Sequence, residues 1–163
     1  MEKKNNLIIT GGPGTGKTTV VVFLLWNLLK SNFDEYKSWQ IHLAAPSGKA
    51  ADRMRESLAK GLNDIRGEIL EDEENKQIFE HIKRLESSTI HRLLHYSVKE
   101  SGFAINGKNK FNEKSIFIID EASMIDINLF ASFLQALPDK NVKVFVLGDP
   151  FQLPSVDAGA VLG

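Results

Sequence analysis

Leu7-Ile8-Ile9-Thr10-Gly11-Gly12-Pro13-Gly14-Thr15-Gly16-Lys17-Thr18 decides how the rest of the chain is read. Its first part is a short apolar run halted by glycine, the pattern of a buried strand. Residues 11–18 fit G-x-x-x-x-G-K-[ST] in full, and the residues from Lys17 to Lys30 read as a helix. Strand, glycine-rich loop and helix is the context in which this spacing has chemical meaning. Glycines let backbone N–H groups converge on a phosphate without Cβ interference. The helix that follows turns its positive dipole end to the anion. Lys17 supplies a point charge for the β- and γ-phosphates, and Thr18 a hydroxyl for Mg²⁺. Gly12, Pro13, Gly14, Thr15, Gly16, Lys17, Thr18 and Thr19 are the candidate nucleotide-binding residues.

Outward from this loop, apolar runs alternate with helical spacing. Ile41 to Ala45 reads as a second strand, ended by Pro46, and Gly48 to Gly61 as a helix opened by Ser47. Asn75 to Leu85 and Thr89 to Tyr96 read as shorter helices. Ile116 to Ile119 is an unbroken apolar strand, as expected in a parallel sheet covered on both faces. Ile127, Phe130, Phe133, Leu134 and Leu137 recur at helical spacing until Pro138, and Val142 to Leu147 is a further strand with Lys143 as its one charged interruption. The alternation predicts an α/β fold, a mainly parallel sheet with helices on both faces. The helix after the loop is apolar nearly all round, which predicts that it packs between layers. Asn106-Gly107 marks a turn, with a hairpin as one option.

Composition narrows the classes. The chain has 163 residues, 42% hydrophobic and 25% charged, which suits one globular domain. With no cysteine, there is no disulfide framework, thiolate zinc site or cysteine nucleophile. An intracellular, cytoplasmic protein is the expectation. The longest apolar run, Val20 to Trp26, is too short to span a bilayer, so no membrane partner is expected. The formal net charge of −1 gives no hint of a polyanion partner, which leaves local patches to decide. Residues 68–80 carry six acids and one lysine, and read as a solvated helix face or loop. Residues 81–110 carry six Lys or Arg against two acids, the best local basic segment for a phosphate-tracking groove.

The loop alone names no reaction. Asp120 and Glu121 follow the strand of residues 116–119 directly, and ligands gather at the carboxyl ends of parallel strands. Asp120 suits Mg²⁺, and Glu121 suits orienting and deprotonating an attacking water. Val144 to Leu153 repeats the design, and the Gln152 amide, a donor and an acceptor, suits sensing the γ-phosphate and the lytic water. Lys17, Glu121 and Gln152 are the candidate catalytic residues, and Thr18 and Asp120 the candidate metal ligands. A guanine reader of the form Asn-Lys-x-Asp is missing, since its nearest match, Asn109 to Asn112, lacks the aspartate. A phosphoryl-transfer enzyme acting on a small metabolite would not need the Asp120-Glu121 pair with Gln152.

The loop, Asp120-Glu121-Ala122-Ser123 and Gly148-Asp149-x-x-Gln152-Leu153, in this order, resemble motifs I, II and III of superfamily-one DNA helicases. Ala44 to Ala51 resembles motif Ia, with Ser47 where the family usually has threonine. Ser88 to Leu94 resembles its Thr-hydrophobic-His-Arg-Leu segment. Asp120 to Asp126 with Asp157 to Gly163 is similar to the RecD type, the alpha chain of exodeoxyribonuclease V. Pif-type helicases share the Gln-Leu-Pro segment and are the neighbouring alternative. A nucleotide-binding module without catalysis is a second one.

The resemblance implies a RecA-like P-loop NTPase domain with ATP and Mg²⁺ in its cleft and single-stranded DNA across the top. It implies a 5′-to-3′ motor in recombinational repair, with other subunits of a helicase–nuclease complex as possible partners. It implies that the motif III strand lies between the strands of motifs I and II. DNA contacts map onto Pro46, Ser47, Thr89, His91 and Arg92. Ser47 also reads as a helix cap, and His91 as a core histidine. Lys49, Arg53 and Arg55 face either phosphate or solvent. Trp26 reads as core, whereas Trp39 and Tyr96 are candidates to stack on a base. Superfamily-one motors use two RecA-like domains, so residues 1–163 are expected to be the first of them, with the second absent. Nothing before Leu7 reads as an adenine-reading element. Such a piece is expected to bind nucleotide weakly and hydrolyse it slowly or not at all.

Overall fold

The computed structural model describes residues 7–11, 16–69, 72–94, 96–97, 102–103, 111–138 and 141–149. In chain order the elements are β1 (Leu7–Thr10), α1 (Lys17–Ser31), α2 (Phe33–Tyr36), β2 (Gln40–Ala45), α3 (Gly48–Ile69), α4 (Glu73–Lys83), β3 (Ser87–Thr89), α5 (Ile90–Leu93), β4 (Tyr96–Ser97), β5 (Gly102–Phe103), β6 (Ser115–Ile119), a 3-10 turn (Ala122–Met124), α6 (Ile127–Ala136) and β7 (Val142–Gly148).

Five strands form one sheet in the order β1-β7-β6-β2-β3, and every pair in it is parallel. β7, which leads into the proposed motif III, lies between β1 and β6 as the resemblance implied. Side chains alternate across the sheet, so the central strands feed two cores. Ile116, Ile118, Phe145 and Leu147 face a cluster with Val22, Leu25, Leu29, Met54 and Ile78 from α1, α3 and α4. Phe117, Ile119, Val144 and Val146 face a second cluster with Ile90, Leu129 and Phe133 from α5 and α6. All five residues of β6 are buried, which is why this strand reads as a continuous apolar run. The fold is that of a RecA-like P-loop NTPase domain.

Several expectations need correction. β1 has one described neighbour, and Leu7 and Ile8 are exposed rather than buried; Ile9 alone packs on the core. α1 is not wrapped on all sides: Val21, Val22, Leu25, Trp26 and Leu29 are buried, while Phe23 is 50% exposed. α3 does not end at Gly61 but runs on to Ile69. Gly61 serves a helix crossing, since a Cβ there would lie 2.7 Å from Val22 Cγ2 on α1. The helix expected over residues 89–96 shrinks to α5, a single turn. Thr89 Oγ1 accepts from the Arg92 N–H at its start, and Leu94 N–H closes it on Ile90. Tyr96 then pairs with Phe103 in an antiparallel ladder outside the main sheet. The Asn106-Gly107 turn lies outside the described residues.

Trp39 is buried beside Tyr36, edge to face at 5.0 Å, and is not a base-stacking platform. Lys143 is tolerated in β7 because its ammonium lies over both rings, 5.5 Å from Tyr36 and 5.8 Å from Trp39. No described helix is long and apolar enough to cross a membrane.

Candidate functional site

The parallel sheet places the carboxyl ends of all its strands on one edge, where Pro46, Thr89 and Asp120 follow or end β2, β3 and β6. β1 ends at Thr10, level with Gly148 of β7, and Gly11 N–H donates to the Gly148 carbonyl at 3.2 Å. Gly16 has a φ of +76°, left-handed and open to glycine at no steric cost. Gly16 caps α1 with no side-chain hydrogen bond, and no acid stands in the first turn. With no carboxylate in its first turn to repel an anion, the positive end of this helix suits a phosphate. Lys17, Thr18 and Thr19 form that first turn. Gly12, Pro13, Gly14 and Thr15 lie outside the described residues.

Two strand positions away, β6 delivers Asp120. Its N–H donates to the Ala44 carbonyl of β2 at 2.9 Å, so the strand pairing itself positions this residue. At interstrand spacings of about 4.8 Å, β6 lies roughly 10 Å from β1 across β7. The Asp120 side chain is buried, and its Oδ1 accepts from the Glu121 N–H at 2.9 Å. Glu121 adopts φ 51°, ψ 39°, a left-handed conformation that costs a non-glycine residue ~1–2 kcal/mol. The strain is held by that bond and by Met124 N–H donating to the Glu121 carbonyl at 3.0 Å. Glu121 Oε1 stands 3.8 Å from Arg53 Nη1 of α3.

At the end of β7, between these two places, Asp149 is 2% exposed. The sequence reading passed over it for Gln152, although the Gly148-Asp149 string carried the same strand-then-acid signal as Asp120. Gln152 lies outside the described residues. Ser123 was also passed over: its Oγ is buried, with no hydrogen-bond partner among the described residues. No group of three His, Cys, Asp or Glu that could hold a metal occurs among the described residues. A metal held here would rely on a carboxylate and a hydroxyl with oxygens from a bound phosphate, the pattern of Mg²⁺ sites. The chemistry of Asp120 and Thr18 fits that group.

The residues proposed for DNA sit on the same edge, over β2 and β3. Ala45 is level with Thr89, so Pro46 and Ser47 emerge beside the start of α5. Ser47 Oγ accepts from the Ala50 N–H at 3.2 Å and acts as a cap. Thr89 Oγ1 caps α5, so the hydroxyls of Ser47 and Thr89 both have a structural task. His91 and Arg92 are exposed, which removes the reading of His91 as a core histidine. Arg55 pairs with Asp52, and Lys49 faces solvent. The sheet therefore brings the ends of β1, β6 and β7 and the starts of α3 and α5 to one edge.

Residues 1–158 match the family described as AAA domain. The chain belongs to that family. Among curated proteins, this AAA domain is 39% identical over 156 residues to the RecBCD enzyme subunit RecD of Haemophilus influenzae, covering 96% of the chain and 23% of that protein. It is 41% identical over 160 residues to the RecBCD enzyme subunit RecD of Buchnera aphidicola subsp. Schizaphis graminum, covering 97% and 24%. It is 33% identical over 156 residues to the ATP-dependent RecD2 DNA helicase of Deinococcus radiodurans, covering 96% and 17%. The chain thus spans about a quarter or less of the length of these relatives. Membership of this family brings nucleotide binding with it.

Proposed function

We propose that this AAA domain is the first motor domain of an ATP-dependent, 5′-to-3′ DNA helicase of the RecD type, acting in the cytoplasm in recombinational repair. One observation carries the reading. β7 lies between β1 and β6, so the end of β1 that leads into the loop, Asp120-Glu121 and Asp149 stand at neighbouring strand ends on the edge that also carries Ser47, Thr89 and Arg92. A nucleotide cleft and a basic rim on one edge suit coupling ATP hydrolysis to movement on a polyanion. The names of the relatives add to this reading, including the prospect of partner subunits in a helicase–nuclease complex.

In this reading each candidate residue has a role. The N–H groups at the start of α1, with the loop from Gly12 to Gly16, hold the phosphates, and Lys17 sets its charge on them. Thr18 and Asp120 would hold Mg²⁺, which would supply positive charge against the phosphates when bound. Glu121 orients the lytic water and takes its proton, and Gln152 reports on the γ-phosphate. Pro46, Ser47, Thr89, His91 and Arg92 contact single-stranded DNA. Hydrolysis at full rate requires a second RecA-like domain, whose arginines in related nucleotide hydrolases are worth ~10³–10⁵ in rate. Residues 1–163 form one such domain and are expected to turn over ATP slowly when alone.

The test is ATP binding and turnover in the full-length protein, with and without single-stranded DNA. Lys17→Ala is expected to abolish nucleotide binding. Glu121→Gln is expected to keep binding and lose turnover by about 10²–10⁴-fold, the usual worth of a general base. Equal loss of binding in both variants, or turnover indifferent to DNA, overturns the reading.

A further inference from the structure

α6 is apolar on two faces, and the sheet uses one of them. The helix, Ile127–Ala136, contains no charged residue. Leu129, Phe133 and Ala136 are buried and pack with Phe117, Ile119, Val144 and Val146 of β6 and β7. On the opposite side Ile127 is 48% exposed and Leu134 50% exposed, with Ala131 exposed between them. Successive spacings of four and three residues put these three on one stripe. Met124, in the turn that precedes the helix, is 46% exposed as well. Asn128 and Gln135, beside the stripe, are exposed and uncharged. A helix apolar all round is the pattern of one packed between layers. Among the described residues the sheet forms one layer, and the other side of α6 is open.

The stripe is separate from the nucleotide end. α6 begins behind Asp120 and Glu121 at the carboxyl edge and returns toward the start of β7, so Leu134 stands toward the opposite edge of the sheet. Its spacing is that of a seam that receives one apolar helix. A second copy of the chain is the poorer occupant. At 1.5 Å per residue α6 is about 15 Å long, and its few apolar side chains fall short of the ~20–30 residues a side in a stable interface between separate molecules. A segment of the same polypeptide needs no such area, because tethering supplies an effective concentration near millimolar. The curated relatives carry most of their length outside the matched region, and such a segment has its place there.

We propose that the outer face of α6 is an interdomain docking surface, and that its occupant is an apolar helix of the same polypeptide lying outside residues 1–163. The proposal rests on the reading of this chain as one domain of a longer motor protein. The occupant sets aliphatic or aromatic side chains against Ile127, Ala131 and Leu134. It carries no charge there, because a charge in the seam would be desolvated without a partner.

Photo-cross-linking of the full-length protein tests it, with Ile127→p-benzoylphenylalanine as the probe and peptide mapping as the readout. The expected product is an intramolecular cross-link to a segment outside residues 1–163. Adding Leu134→Asp is expected to lower its yield about tenfold or more, since it sets an unpaired charge in the seam, while ATP binding and the circular dichroism spectrum stay unchanged. Cross-links confined to residues 1–163, cross-links to a second copy or to another protein, no cross-link, or a yield indifferent to Leu134→Asp overturn the proposal. Turnover by the same protein separates the two readings: stimulation by single-stranded DNA without the cross-link leaves the motor reading standing, and the cross-link without stimulation leaves only the docking surface.

Discussion

At the scale of single residues, the site is marked by a cost. Glu121 keeps a left-handed backbone that glycine would adopt without strain, at the point where two hydrogen bonds and an ion pair converge. Strain of this kind persists where the surroundings over-determine it, and it collects at functional sites. Glu121→Gly is therefore expected to stabilise the domain by about 1 kcal/mol, a rise of about 2–4 °C in Tm, while ATP turnover in the full-length protein is lost. Thermal unfolding beside turnover checks both halves. A lower Tm would mean that the side chain contributes more than the backbone strain costs. The candidacy of Glu121 was legible from its place after an apolar strand, but its strain and its pairing with Arg53 were not. Local sequence carries no information about which side chain 68 positions earlier will face it.

At the scale of elements, Gly61 separates local propensity from tertiary need. Glycine in a helical pattern reads as a stop, and Gly48 to Gly61 looked like a complete helix. α3 passes through it because α1 lies so close that a Cβ would meet Val22 Cγ2 at 2.7 Å. Gly61→Ala gains up to about 1 kcal/mol of helix propensity and loses about 1–3 kcal/mol to overpacking. The expected net is a loss of about 1 kcal/mol, read as a lower midpoint in urea with unchanged slope. Gly61→Ala with Val22→Ala should recover part of that loss, since the clash is with that one side chain. Phe117 makes the opposite case. It is fully buried in β6, packed edge to face on Phe133 at 5.3 Å and stacked on His42 at 4.8 Å. Phe117→Ala is expected to cost about 3–5 kcal/mol by cavity formation.

At the scale of the molecule, two histidines couple folding to pH. His42 packs against both Phe111 and Phe117, and burial holds its pKa below the ordinary 6.5. Burial likewise lowers His81, helped by the nearby positive charge of Arg84. Both favour the neutral form in the folded state, so the unfolded chain binds more protons as pH falls through 6.5. Their contribution is present in full above that pH and is lost progressively below it, down to the folded-state pKa values. Urea unfolding at pH 8 and pH 5.5 is expected to give the lower midpoint at pH 5.5, with a smaller difference in His42→Leu/His81→Leu. An unchanged difference in the double variant would assign the effect to other groups.

The sequence by itself determined the strand–loop–helix start, the apolar run Ile116 to Ile119 in β6, the two acids behind it and the order of the motifs. Each of these is a pattern carried by neighbouring residues, set by the two-residue period of strands, the 3.6-residue period of helices and the steric freedom of glycine. Tertiary structure decided what neighbours in sequence cannot. The order β1-β7-β6-β2-β3 puts β7 between strands that precede it in the chain, so the site is assembled from segments more than a hundred residues apart. Packing buried Trp39, exposed His91, carried α3 past Gly61 and set Arg53 against Glu121. The physical reason is that burial and ion pairing depend on distances through space, and those exist only once the sheet has closed its long-range pairs.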